Sequence, residues 1–242
     1  MLPKLTQIQK INNSIKINKF SSEDRKPHKD WPEEWRTIYY KAYPRFKQII
    51  LPLATPRKLD LFESIQKRES NRDFSDKAVT IDQFSDLLYY SAGINHGDKR
   101  MYPSAGARYP LEVYPFVFNV EGMNSGVYHY HLKTHSLETI LQTLNKKGVV
   151  DQFTQTWIEK AGVVMVVTAV FDRTEMKYRA RGYRHIFTEY GHLAQNMYLI
   201  CAALGLGICS IGGFIDDGLN KILDIDGRIE SVIGVIAIGN KI

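Results

Sequence analysis

The sequence predicts an α+β fold, on three observations. Helical and strand-like segments are mixed along the 242 residues with no regular strand–helix–strand repeat, which argues against a doubly wound parallel sheet. "GVYHYHL" and "LETIL", with the turn-like "KTHS" between them, form a hairpin pattern. The longest apolar run, "AGVVMVVTAVF" at residues 161–171, suits a fully buried strand and is too short for the ~20 residues of a membrane span.

The elements follow in order. Residues 1–45 are polar, rich in aromatics and weakly periodic, and they hold Trp31 and Trp35, two of the three tryptophans. Aromatics in a segment with little core of its own pack on something else, so this is expected to be an arm on the main body or on a second subunit. A short helix is expected in "WPEEWRTIYYKAY", with Pro32 in its first turn. Residues 46–242 form the main domain. "LDLFESIQKRES" predicts a helix ending near Lys67. Thr80 and Gln83 make a capping box for a helix whose face is Ile81, Phe84, Leu87 and Leu88, ended by Gly93. "LEVYPFVFNV" is a strand in which Pro115 lacks a ladder N–H, which predicts an edge or a bulge. "RHIFTEYGHLAQNMYLICAALG" repeats Leu193, Met197, Ile200, Cys201 and Leu204 at helical spacing and closes at Gly205. "GICSIGGF" and "SVIGVIAIG" are the last strands, with the helix "DDGLNKIL" between them.

Composition narrows the function classes. Hydrophobic residues make up 44% and charged residues 24%, as in ordinary globular proteins. The net charge of +6 favours anionic ligands, but the basic residues are spread along the chain, so neither nucleic acid nor membrane is an expected partner. Cys201 and Cys209 are too few for a disulfide framework or a metal site, and their apolar surroundings predict buried free thiols in a reducing cytoplasm. The N-terminus is interrupted every few residues by Lys, Gln or Asn and holds no signal-peptide core.

Five stretches bear on chemistry. In "KRESNRDF", an extended backbone puts Arg68, Ser70 and Arg72 on one side, where two guanidiniums and a hydroxyl make a phosphate clamp; a solvated basic turn is the alternative. In "MYPSAGARYP", Pro103, Ser104 and Gly106 lie in a loop whose backbone can approach a ligand closely, although the residues alone read as an ordinary loop. "GLGICSIGGF" fails as a dinucleotide fingerprint because Gly205 and Gly207 follow a helix and the third position is Ser210. Its Gly212 and Gly213 instead end a strand, where bare backbone can face a flat ligand. His129 and His131 alternate on one strand without acids at metal-ligand spacing, so a surface hairpin is expected and no metal site. In "KYRARGYR", Lys177 and Tyr178 are plausible proton-transfer groups, but as a bare pair the residues read as a solvated helix start.

Taken in order, "KRESNRDF", "YPSAGARYPLEVY", "GVYHYHLKTHSLE", "KYRARGYRHIFTEYGHLAQNMYLICAALGLG" and "SIGGFIDD" resemble the SagB/ThcOx-type azoline dehydrogenase branch of the nitroreductase superfamily, from about residue 45 to the end. The resemblance implies a nitroreductase-like α+β fold, a central mostly antiparallel sheet flanked by helices, and an intertwined homodimer binding FMN. It implies that Arg68, Ser70 and Arg72 hold the FMN phosphate. Pro103, Ser104 and Gly106 would approach the FMN held mainly by the other subunit, and the backbone of Ile211, Gly212 and Gly213 would face the flavin. Lys177 and Tyr178 fall on the branch's catalytic Lys–Tyr pair. The implied reaction oxidises thiazoline or oxazoline rings of a ribosomal peptide to thiazoles or oxazoles, with a cyclodehydratase as possible partner. A general NAD(P)H-dependent nitro or quinone reductase and a non-catalytic FMN-binding subunit are the alternatives. Two departures stand out. Glu69 lies inside the clamp motif, and Lys241 is the one basic candidate near the C-terminus for the phosphate.

Overall fold

A computed structural model describes residues 6–17, 26–55 and 60–242; residues 1–5 and 18–25 of the expected arm, and Leu59 of the "LDLF" stretch, lie outside them. Seven strands form one sheet: β1 (Gln48–Ile50), β2 (Leu111–Val117), β3 (Gly126–His131), β4 (Ser136–Leu141), β5 (Val163–Val170), β6 (Leu206–Ile211) and β7 (Glu230–Asn240). Their order is β1-β4-β3-β2-β5-β7-β6, and every neighbouring pair is antiparallel. The helices are α1 (Gln7–Ser14), α2 (Glu33–Arg36), α3 (Leu61–Lys67), α4 (Ile81–Ala92), α5 (Lys146–Val150), α6 (Asp172–Tyr178), α7 (Gly182–Leu204) and α8 (Asp216–Leu223).

The alternation of side chains along β5 builds two cores, one on each sheet face. Val163, Met165, Val167 and Ala169 pack with Phe84, Leu87 and Leu88 of α4 and Leu193, Met197 and Cys201 of α7. Val164 and Val166 pack on the opposite side with Val149 of α5 and Leu219 and Leu223 of α8. A strand buried on both faces must be apolar throughout, which is why this run reads as continuous; each buried aliphatic side chain contributes roughly 1.5–3 kcal/mol. Thr80 and Gln83 form the expected capping box of α4, and Gly205 ends α7 at φ +72°.

Three expectations need correction. Pro115 lies on an interior strand, not an edge: β2 pairs with β5 along its length, while its pairing with β3 covers Phe116 and Val117, so the proline sits where that ladder ends. The β3–β4 hairpin is not on the surface. His129 is fully buried, and its Nδ1 and Nε2 lie 2.8 and 3.1 Å from Glu138 and Glu112. The acids that sequence spacing did not supply come from neighbouring strands. The stretch "KYRARGYR" is not a helix start: Lys177 and Tyr178 end the short helix α6, and Arg179 at φ +50° breaks the chain before a 3-10 turn leads into α7.

The described part of the lead-in segment lies on the main body. Lys41 pairs with Glu230 and donates to the Tyr114 hydroxyl at 2.7 Å. The Tyr43 N–H donates to Glu138 at 2.8 Å. Among the described residues, no helix is long and apolar enough to cross a membrane.

Candidate active site

Two groups of predicted site residues are each brought together, on different sides of α7. The first gathers around Gly106. This glycine has φ +58°, and a β-carbon placed on it would lie 2.6 Å from both Lys177 Nζ and the Tyr178 hydroxyl. The loop and the Lys–Tyr pair, 71 residues apart in sequence, therefore meet in van der Waals contact. Ser104 Oγ accepts from the Tyr109 N–H at 2.9 Å, which folds the loop on itself, and the Pro103 carbonyl lies 3.4 Å from His192 Nδ1. Asn196 donates to the Met101 carbonyl at 3.0 Å and fastens the same loop to α7.

The electrostatics of this corner are unusual. Lys177 Nζ is buried with no hydrogen-bond partner and faces the Trp31 ring, 2.9 Å from its centroid. Burial, helped by the neighbouring Arg108 guanidinium, pulls the Lys177 ammonium down to about 8. Burial pushes the Tyr178 phenol up from its ordinary value, with Arg108 opposing. Near neutral pH an appreciable fraction of Lys177 is therefore free amine, while Tyr178 keeps its proton. Arg108 is itself buried and held by α6: its Nε donates to the Arg173 carbonyl at 2.8 Å. Arg173 in turn reaches Glu112 at 2.5 Å. Beneath the loop, buried Glu189 is pushed up to about 7 by desolvation, with Ser104 and Arg100 opposing.

The second group lies beside the edge strand β6. Arg68, Ser70 and Arg72 are all exposed. The Asn71 N–H donates to the Ile208 carbonyl at 2.8 Å and holds this segment along β6. Tyr198 of α7 joins the clamp to the strand end: its hydroxyl is 3.1 Å from Ser70 Oγ and accepts from the Ser210 N–H at 2.9 Å, and Arg68 sits over its ring. Glu69 points away and pairs with Lys241 at 2.7 Å, so the carboxylate that seemed out of place in the motif neutralises the C-terminal lysine. Gly212 is exposed, and nothing lies within 4 Å of where a β-carbon would be. Gly213 is bare for another reason, since a β-carbon there would meet Thr154 Oγ1 at 2.2 Å. Ile211 is buried in the core and pairs with Val235 of β7. Two exposed guanidiniums, a hydroxyl and an open backbone edge suit a phosphorylated planar cofactor such as FMN.

At ~100° per residue, His192 and Asn196 occupy one side of α7, and Tyr190 and Tyr198 roughly the opposite side. The loop with Lys177 and Tyr178 attaches to the first side, and the clamp with Ser210 to the second. Sequence reasoning missed Tyr198, Arg108 and the partnership of Trp31 with Lys177. The spacing of Tyr190 and Tyr198 on one helix was a usable signal; the other two depend on chain segments far apart in sequence.

Comparisons with known proteins bear on the family and the fold. Residues 65–240 match the model of the Nitroreductase family. The Methanocaldococcus jannaschii protein MJ1384, which carries a nitroreductase name, is 35% identical over 189 residues, covering 76% of this chain and 93% of the relative. The Escherichia coli microcin B17-processing protein McbC is 32% identical over 137 residues, covering 54% of this chain and 50% of McbC. A chain of the E. coli microcin synthetase McbBCD complex with truncated pro-MccB17 bound superposes with a TM-score of 0.63 at 25% identity, over 92% of this chain and 84% of that one. A crystal structure from Anabaena variabilis superposes over the whole of this chain and 49% of its own, with a TM-score of 0.81 at 21% identity.

Proposed function

The chain belongs to the nitroreductase family, and on that premise we propose that it is an FMN-dependent dehydrogenase that oxidises thiazoline or oxazoline rings of a ribosomal peptide to thiazoles or oxazoles. The observation that carries this reading is the convergence of Lys177 and Tyr178 on Gly106, because a flavoprotein that only passes electrons needs no depressed lysine and protonated tyrosine side by side. The similarity to McbC, a microcin-processing protein, supports the same class of substrate. The similarity to a chain of an assembled synthetase supports a cyclodehydratase partner.

Converting an azoline to an azole removes two electrons and two protons. Bound FMN supplies the two-electron acceptor for this chemistry. Arg68, Ser70 and Arg72 would bind its phosphate, and the backbone of Ile211, Gly212 and Gly213 would lie along its ring edge. Lys177, as free amine, would take the proton from the substrate ring carbon. Tyr178, protonated throughout the neutral range, would donate a hydrogen bond that orients the ring. Gly106 keeps the loop close to both without blocking them. The opposite placement of clamp and Lys–Tyr pair on α7 supports a site completed by a second copy of the chain. The exposed Leu61, Phe62 and Ile65 of α3 offer an apolar surface for that copy.

The test is the visible absorption spectrum of the purified protein, followed by Lys177→Ala and Tyr178→Phe assayed on an azoline peptide. A yellow protein whose variants retain FMN and lose azole formation is expected. A colourless protein that cannot be loaded with FMN would overturn the assignment. The nitroreductase name of MJ1384 favours a general NAD(P)H-dependent reductase as the second reading; a yellow wild-type protein that forms no azole and whose flavin NAD(P)H reduces rapidly would select it.

A further inference from the structure

The segment before the main domain carries two aromatic rings into the Lys177 corner. Trp31 presents its face to Lys177 Nζ at 2.9 Å from the ring centroid, and Trp35 lies 5.8 Å away. The two indoles meet edge to face, 6.3 Å apart at 71°. The helix α2 that carries Trp35 contacts both α6, which bears Lys177, and the turn at Ala105–Ala107. Trp31 donates its ring N–H to the Lys26 carbonyl at 2.9 Å, which fixes the plane of the indole. The ammonium is therefore held between an indole face and the bare backbone of Gly106, with no hydrogen bond to orient it. An aromatic face attracts the protonated lysine most strongly where water is excluded, and the amine left when the proton is lost keeps its packing against the same ring, so the indole supplies the contact that hydrogen bonds ordinarily give a lysine.

We propose that Trp31 is a positioning residue for Lys177: its indole face fixes the amine beside Tyr178 and in front of Gly106, and Trp35 braces it edge-on. This gives the lead-in segment a part in the site, and its catalytic consequence rests on the azoline dehydrogenase function proposed above. The contact demands a flat aromatic surface, so phenylalanine substitutes for tryptophan, while leucine, of adequate bulk and greasiness, does not.

The experiment has two readouts on the FMN-loaded protein. The first is the 1H–13C spectrum of protein carrying 13C-labelled lysine, in which the Lys177 Cε methylene is the signal missing from Lys177→Arg. The indole ring current is expected to displace it upfield; Trp31→Leu returns it to the ordinary lysine region, and Trp31→Phe leaves part of the displacement. The second is steady-state azole formation. Trp31→Leu is expected to lower kcat roughly tenfold with KM within about twofold, and Trp31→Phe to recover most of the loss. A Lys177 signal at the ordinary position in the wild-type protein, or one that Trp31→Leu does not move, overturns the proposal, as does an unchanged kcat in Trp31→Leu. Full azole formation by Lys177→Ala, with the upfield signal present in the wild-type protein, would instead overturn the catalytic role proposed for Lys177 and leave the aromatic contact standing.

Discussion

Gly106 and Lys177 are packed so closely that the space between them is smaller than a methyl group: a β-carbon on the glycine would stand 2.6 Å from the lysine nitrogen. The same atom would stand 2.6 Å from the Tyr178 hydroxyl. This loop glycine is thus part of the wall of the candidate site as well as of a turn.

Gly106→Ala is therefore expected to displace the Lys–Tyr pair. The substitution places a side chain at φ +58°, which costs ~1–2 kcal/mol, and drives a methyl into Lys177 and Tyr178. Azole formation should fall by about a hundredfold or more, as for other small misplacements of reacting groups. The phosphate clamp around Tyr198 is on the other side of α7, so the variant should still bind FMN while losing turnover. Absorbance of bound flavin and azole formation by mass spectrometry check the two halves; unaltered turnover would show that the loop does not set the pair's position.

The Lys177 amine must be neutral to accept a proton, and burial with Arg108 pulls it to about 8. The rate should therefore rise with pH and level off above about pH 8. Tyr178 is pushed above its ordinary value, so it imposes no falling limb in the same range. In the Lys177→Ala variant the rising limb should vanish from whatever activity is left. A kcat profile from pH 6 to 9.5 decides this, and a rate that falls with rising pH would make Lys177 an acid instead.

Glu112 stands between His129 and Arg173 in the buried interior, 3.1 Å from the ring and 2.5 Å from the guanidinium. Burial works against its charge, but those two partners hold it down to about 2. Glu112→Gln should cost about 3–5 kcal/mol near pH 6, because it leaves the buried Arg173 charge without its carboxylate and His129 with Glu138 alone. The sign with pH follows from the depressed value. The stability supplied by the carboxylate is present above its unfolded pKa of ~4.3 and is lost as pH falls toward 2. His129, raised by Glu112 and Glu138 against burial, contributes fully below ~6.5 and loses its share only as pH climbs past its raised value. Urea unfolding at pH 6 and pH 3.5 should show the gap between wild type and Glu112→Gln shrinking in acid. An equal gap at both would remove the ion pair from the account.

Much of this protein is written locally. The capping box at Thr80 and Gln83, the stop at Gly205 and the continuous apolar run of β5 are short-range signals, and each element forms where the sequence places it. The exposed triplet Arg68, Ser70 and Arg72 is likewise a local pattern, since alternation along a few residues suffices to put Glu69 on Lys241 and leave the other three exposed. Tertiary structure decided what those residues meet. His129 looked like a surface residue because its two carboxylates arrive from β2 and β4, and Pro115 looked like an edge because its missing hydrogen bond falls where a neighbouring ladder already ends. Lys177 is an ordinary lysine in an ordinary basic stretch until Gly106, Arg108 and Trp31 close around it and strip its water. Propensity and periodicity act over a few residues and are legible in the chain; desolvation and proximity act between segments that only folding brings together.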